Sequence, residues 1–156
     1  MQQENSGQET RHHYMMLGVN LAISLLIMYV AMFAMIWSWG EFIQNVNFFY
    51  MALVMWAPMA AVMLLTMKPM YANPRLNVLL YALFAIVFLL SFAGIRAQAL
   101  VGDKQFLSSM IPHHSGAILM CEQATISDPE IKTLCGRIIK SQAEEIDQMK
   151  AIRNRL

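Results

Sequence analysis

The sequence predicts an all-α membrane protein in which three transmembrane helices precede a water-exposed helical hairpin. Three observations support this. Of the 156 residues, 58% are hydrophobic and only 13% are charged, well below the roughly 25% charged share of a soluble domain. Residues 17–39, 48–67 and 76–95 are uncharged runs of 23, 20 and 20 residues, each long enough at about 1.5 Å per residue to cross about 30 Å of hydrocarbon. From Gly102 the pattern changes, and apolar residues recur at helical spacing among charged ones, interrupted by a single turn signal. The expected organisation is a disordered cytoplasmic tail at 1–13, a three-helix transmembrane region at 14–97 and a helical-hairpin domain at 102–156.

Residues Met1 to His13 are polar, with Glu4, Glu9 and Arg11 as their charges, the composition of a disordered tail. The first span is too long for a signal peptide and lacks a small-x-small cleavage site after it. Trp37, Trp39, Tyr50 and Tyr71 fall near span ends, where amphipathic rings anchor at the lipid interface. Between Tyr14 and Ile95 the formal charges are Glu41, Lys68 and Arg75, each between apolar runs. Arg11 and the Lys68–Arg75 loop share one side of the membrane, whereas the Gly40–Asn47 loop has no basic residue. The positive-inside rule then places the amino terminus in the cytoplasm. Three spans send the tail to the opposite side, the periplasm of a bacterial inner membrane, against a small opposing contribution from Arg96 and Lys104. No Asp, Glu, Lys, Arg or His lies inside a span, which speaks against a proton-coupled transporter.

The second span carries Met51, Met55, Met59, Met63 and Met67 at four-residue spacing, with Met70 just beyond. Successive members drift by about 40° around a helix, so they form one sulfur-bearing stripe. Pro58 in its middle removes a backbone hydrogen bond and predicts a kink. Met28, Met32 and Met35 form a shorter stripe on the first span. Thioethers at such spacing are flexible fillers of helix contacts, here next to the small pair Ala57 and Ala61. That reading outweighs a thioether path for Cu(I) or Ag(I), from which spacing alone does not separate it.

In the tail, Asp103 is the expected N-cap of a helix that places Phe106, Met110, Ala117, Met120 and Ala124 on one face. Pro112 leaves the Ser108 carbonyl without a helical partner and predicts a bend. Ser127-Asp128-Pro129-Glu130 is a turn followed by a helix start, with Asp128 as N-cap and Pro129 at the first helical position. The second helix then runs to about Asn154, with Ile131, Leu134, Ile138, Glu145 and Met149 along its inner stripe. Two such helices do not bury a core alone, so the hairpin is expected to pair with a second copy, as a homodimer or larger homo-oligomer. From Arg96 on, eight basic residues stand against seven acidic ones, which provides no basic excess for nucleic acid.

The chemistry is concentrated between Met110 and Cys121, where two thioethers, two imidazoles and a thiol fall within twelve residues. These are the ligand types of soft and borderline metal ions. Folding the chain about Asp128 sets residues whose numbers sum to near 256 opposite one another. Cys121 then meets Cys135, His114 lies level with Gln142, and Met110 lies within a turn of Glu145 and Met149. That register assembles Met110, His113 or His114, Gln142, Glu145 and Met149 at one height as candidate metal ligands. Adjacent helical residues point about 100° apart, so one of the two imidazoles serves a neighbouring subunit unless the bend at Pro112 intervenes. Histidines near a helix end also hydrogen-bond a carbonyl or Glu145 without any metal. Cys121 and Cys135 suit a disulfide, apolar packing or, less readily, thiolate ligation. Neither has a base beside it, so a cysteine nucleophile is disfavoured.

The segments Phe106-Leu-Ser-Ser-Met110-Ile-Pro-His113-His114-Ser-Gly-Ala-Ile-Leu-Met120, Ser127-Asp-Pro-Glu and Ile138-Ile-Lys-Ser-Gln142-Ala-Glu-Glu145-Ile-Asp-Gln-Met149 resemble domain-of-unknown-function family 305. The resemblance implies half of a ferritin-like four-helix bundle, completed by oligomerisation. It also implies copper or silver handling in the bacterial envelope through Met110, His113, His114, Met120, Glu145 and Met149. It implies no reaction, and the paired Glu-x-x-His ligands of di-iron oxidases are absent, so a non-enzymatic role is expected. The expected cofactor is copper, as Cu(I) by ligand softness, with Ag(I), Cu(II) or Zn(II) also served by parts of the ligand set. The expected function is metal buffering, trafficking or resistance. The alternatives are metal permeation along the Met51–Met67 stripe and a scaffold in which the tail only oligomerises.

Overall fold

The computed structural model describes residues 2–156, with side chains from residue 8 onward. Five α-helices follow one another, α1 (Gln2–Ala31), α2 (Val46–Thr66), α3 (Pro74–Ala97), α4 (Asp103–Gln123) and α5 (Pro129–Arg155), with no strand among the described residues. Gln8–Ala31, Val46–Thr66 and Pro74–Ala97 are long and apolar enough to cross a membrane. The chain divides into two compact units, one made of the residues up to Val30 with Phe49–Ala97, the other of Ala31–Phe48 with Gln98–Leu156.

In the first unit Leu17, Leu21, Ala57, Ala60, Leu64, Tyr71 and Phe84 form the buried core. The small face of α2 thus includes Ala60 together with the expected Ala57, and Ala61 packs at its margin. Small side chains there let helices approach closely. Trp56 meets Phe84 edge-on at 5.7 Å between ring centroids, and its indole N–H donates to the Leu21 carbonyl at 2.8 Å. Without water, that donor has to find its acceptor inside the protein. Leu26, Ile27, Val62, Val78, Leu79 and Leu90 remain exposed, an apolar exterior of the kind that lipid covers.

Two expectations about α1 change. The stretch from Gln2 to His13, expected to be disordered, continues the helix, while Met1 lies outside the described residues. Extending an existing helix costs far less than nucleating one, so a polar sequence joined to a long apolar helix can follow it. At the other end, α1 stops at Ala31, short of the expected Trp39. Ser38-Trp-Gly-Glu41 instead forms a single 3-10 turn with a capping box, in which the Ser38 hydroxyl accepts from the Gly40 N–H and Glu41 accepts from the Ser38 N–H at 3.2 Å. Such a reciprocal pair fixes a separate turn, and the residues between Ala31 and Ser38 close isolated turns, Ala34 N–H to the Ala31 carbonyl and Ile36 N–H to the Phe33 carbonyl.

In the second unit α4 and α5 form an antiparallel pair. Asp128 caps α5, accepting from the N–H groups of Glu130 and Ile131 at 2.8 and 3.0 Å, and Pro129 stands at the first helical position. Leu107, Ile111, Ile118, Ile146 and Met149 make the core, with Met110 and Ile43 packed against it. The N-cap of α4 is Gly102, and the expected Asp103 lies in the first turn. The buried face also differs from the expected one, since Phe106 and Met120 are 51% and 53% exposed and Ile131 and Leu134 are 48% and 45% exposed. Periodicity defines a stripe on each helix, but the loop Ala31–Phe48 occupies the other side of α4 and packs on Ser109, Ser115 and Gly116 there. Gly116 lies where the loop comes closest, since a Cβ there would stand 3.4 Å from the Met35 carbonyl oxygen, at van der Waals contact.

Candidate functional site

Cys121 and Cys135 are joined by a disulfide, with their Cα atoms 5.3 Å apart. It ties the ends of α4 and α5 nearest the turn and sets the register about Asp128. Toward the open end of the hairpin, His114 Nδ1 lies 3.1 Å from Glu145 Oε2. Glu145 is one helical turn beyond Gln142, the residue level with His114 in the strict register. Glu145 Oε1 accepts from the Ser141 hydroxyl at 2.8 Å, which orients the carboxylate.

The His114 side chain is only 11% exposed and its Nδ1 is fully buried, yet the atom is not aligned with Glu145 as a hydrogen bond. Burial lowers the pKa of this imidazole below its ordinary value, Glu145 pulls it back upward, and His113 adds to the lowering. Desolvation therefore favours the neutral ring, the form that donates a lone pair to a metal. Met149 is buried and Met110 packs in the same cluster. Met110, His114, Glu145 and Met149 are thus gathered in one unit, with His114 on the covered face.

His113 is exposed, its ring centroid 6.1 Å from that of His114 and tilted by 59°. The two imidazoles diverge as adjacent helical positions should. Gln142 is half-buried, and Met120 is exposed next to the disulfide. Among the described residues no three His, Cys, Asp or Glu side chains gather to hold a metal ion. A metal held by this hairpin would therefore need thioethers or donors from a second copy.

A residue not singled out for this unit in the sequence organises it. Glu41 is 2% exposed, with Oε1 accepting from the Lys150 ammonium at 3.1 Å and Oε2 accepting from the Ser115 hydroxyl. Ser115 in turn accepts from the Trp37 N–H, and the Trp37 indole donates to Glu122 at 2.7 Å. Arg153 donates to Ser108 at 3.0 Å. The buried charge is paired and hydrogen-bonded, the condition for tolerating it. The available signal was Ser38-x-x-Glu41, a capping box in a loop that has no other charge.

In the first unit the methionine stripe is divided. Met51 and Met55 are each 44% exposed and Met67 is 38% exposed, whereas Met59 and Met63 pack against the core.

The family described as a domain of unknown function, DUF305, matches residues 92–153. An uncharacterized protein of Acanthamoeba polyphaga mimivirus is 37% identical over 117 residues, covering 74% of this chain and 75% of that protein. No solved structure matches the chain. With the hairpin inside the matched region and the relative extending the likeness over most of both chains, this protein belongs to the DUF305 family.

Proposed function

We propose that the chain is a membrane-anchored envelope protein whose hairpin binds Cu(I) or Ag(I), in metal buffering, trafficking or resistance. The supporting observation is the buried, unaligned Nδ1 of His114 beside Glu145, in a unit that also packs Met110 and Met149. An imidazole and thioethers are the donor set of a monovalent soft ion, and such an ion would give that nitrogen a partner. The residues fit the ion; Glu145 would then orient the ring or serve as a further oxygen ligand.

The exposed Phe106, Met120, Ile131 and Leu134 support pairing of two hairpins into a ferritin-like four-helix bundle. In that assembly His113 would face the neighbouring copy. By span counting, the tail lies on the periplasmic side of a bacterial inner membrane.

Titration of the purified full chain with Ag(I), which needs no reductant and so leaves the disulfide intact, tests the site. The His113→Ala, His114→Ala chain should lose at least the roughly tenfold in affinity that even an outer partner is worth at a metal site. Equal affinity and stoichiometry in both chains would remove the hairpin site.

A further inference from the structure

The transmembrane unit holds a second concentration of soft donors, at the end where α1 begins, α2 finishes and α3 starts. A cavity of about 280 Å³ is lined there by His13, Met16, Met63, Met67, Met70 and Tyr71 among its residues. We propose that this cavity is a distinct binding site for a monovalent thiophilic cation, Cu(I) or Ag(I), with the His13 imidazole and the surrounding thioethers as ligands.

The imidazole is set for ligation. His13 Nδ1 lies 3.1 Å from the Met70 carbonyl oxygen. A carbonyl only accepts, so Nδ1 carries the proton and Nε2 keeps its lone pair. Metal-binding histidines are oriented in this way, with one nitrogen tied to a backbone carbonyl and the other directed at the ion.

The surroundings are rigid. The Tyr14 hydroxyl donates to Asn77 Oδ1 at 2.6 Å, the Asn77 amide donates to the Tyr71 carbonyl at 2.8 Å, and the Asn73 N–H donates to the Tyr14 oxygen at 3.3 Å. The Tyr14 and Tyr71 rings lie 5.3 Å apart, and Tyr71 is 5% exposed. The turn of α1 around Tyr14 is thereby fastened to the segment joining α2 to α3, which brings Met16 and the Met63–Met70 group to one cavity.

The donor set selects the ion. Among the described residues no carboxylate and no thiol lines the cavity, so Mg(II), Ca(II) and Zn(II) find there none of the oxygen or sulfur anions they favour. Neutral thioethers with one imidazole hold a single soft positive charge. Met16, Met67 and Met70 are 50%, 38% and 38% exposed, which leaves their thioethers accessible to an entering ion.

The test uses the full chain in lipid nanodiscs carrying His113→Ala and His114→Ala, so that failure of the hairpin site does not decide this one. Calorimetric titration with Ag(I) should show a saturable equivalent. His13→Ala, and separately the volume-conserving Met67→Leu, Met70→Leu pair, should each weaken it about tenfold or more. Labelled methionine methyl resonances of Met16, Met67 and Met70 should shift on addition of Ag(I), whereas those of Met51 and Met55 should not. Absence of saturable binding, as when a lipid chain occupies the cavity, overturns the proposal. So does unchanged affinity in both sets of variants with retained helix content.

Discussion

In the first unit, whose three helices are long and apolar enough to cross a membrane, Leu17, Leu21, Ala60, Leu64 and Phe84 pack around small residues of α2 while Leu26, Val78 and Leu90 face outward. In the hairpin unit the pattern inverts, and a buried glutamate joins Ser115, Lys150 and Ser38 under a sheath of exposed side chains. The first unit gains specificity from shape, because close packing rather than polar pairing discriminates among apolar side chains. The second gains it from a polar network that is satisfied in one arrangement only, since each partner lost leaves another buried group unpaired. A disulfide adds to the second unit what two helices with a small core do not supply.

Breaking the network at its cation should give the largest effect. Lys150→Met leaves the Glu41 carboxylate, 3% exposed as a side chain, without its counter-charge; with the ammonium itself 37% exposed and partly screened by water, the loss should be about 3 kcal/mol, the low end for a buried pair. Hydrogen exchange resolved by segment checks both parts of the comparison: α4 and α5 should lose protection while α2 and α3 keep theirs. Equal loss in both units would show that they do not stand apart energetically.

Removing the disulfide should come next. Cys121→Ser with Cys135→Ser opens a loop of about 15 residues and should destabilise the hairpin by about 3 kcal/mol, read as a lower denaturant midpoint than that of the oxidised parent. Adding a reductant to the parent should reproduce the shift, and to the double variant should do nothing.

A smaller effect is expected on the other side of the comparison. Trp56→Phe removes the indole donor to the Leu21 carbonyl but keeps an aromatic ring against Phe84, and should cost the transmembrane unit about 1 kcal/mol. Thermal unfolding followed by circular dichroism in micelles measures it, and the loss should be independent of the redox state of the cysteines.

The smallest expected effect is a pH dependence of the hairpin. The folded state lowers the His114 pKa, by burial first, so as pH falls below about 6.5 the unfolded chain binds a proton that the folded chain resists. Stability is therefore fully present above the unfolded value and declines as pH drops toward the folded one. His114→Gln should flatten that decline in melting temperature between about pH 7 and pH 5.

The two units also differ in how legible they are in the sequence. Long uncharged runs locate α2 and α3 within two residues of their ends, because the dielectric contrast between lipid and water acts on each residue separately. The turn at Asp128 is equally local, a cap and a proline acting within four residues. The end of α1 and the buried face of α4 were not legible from periodicity. They depend on Trp37, Glu41 and Met35 meeting Ser115 and Gly116 some 75 to 80 positions away. The stripe through Phe106 and Met120 has the spacing of a buried face, yet a loop claims the opposite one. The antiparallel register anticipated which residues lie near one height, but which of His113 and His114 points inward follows from the packing of α4 against α5 and that loop.

The sequence by itself determined five helical segments, three of them apolar enough for a membrane, and the hairpin turn, since hydropathy, capping and proline act over one element at a time. It also determined the inventory of soft donors. Only the tertiary structure decided that Glu41 is buried against Lys150, that His114 rather than His113 faces Glu145, and that His13 shares a cavity with Met16, Met67 and Met70. Those pairings join residues from separate helices and loops, and their energies exist only once the backbone between them has been ordered.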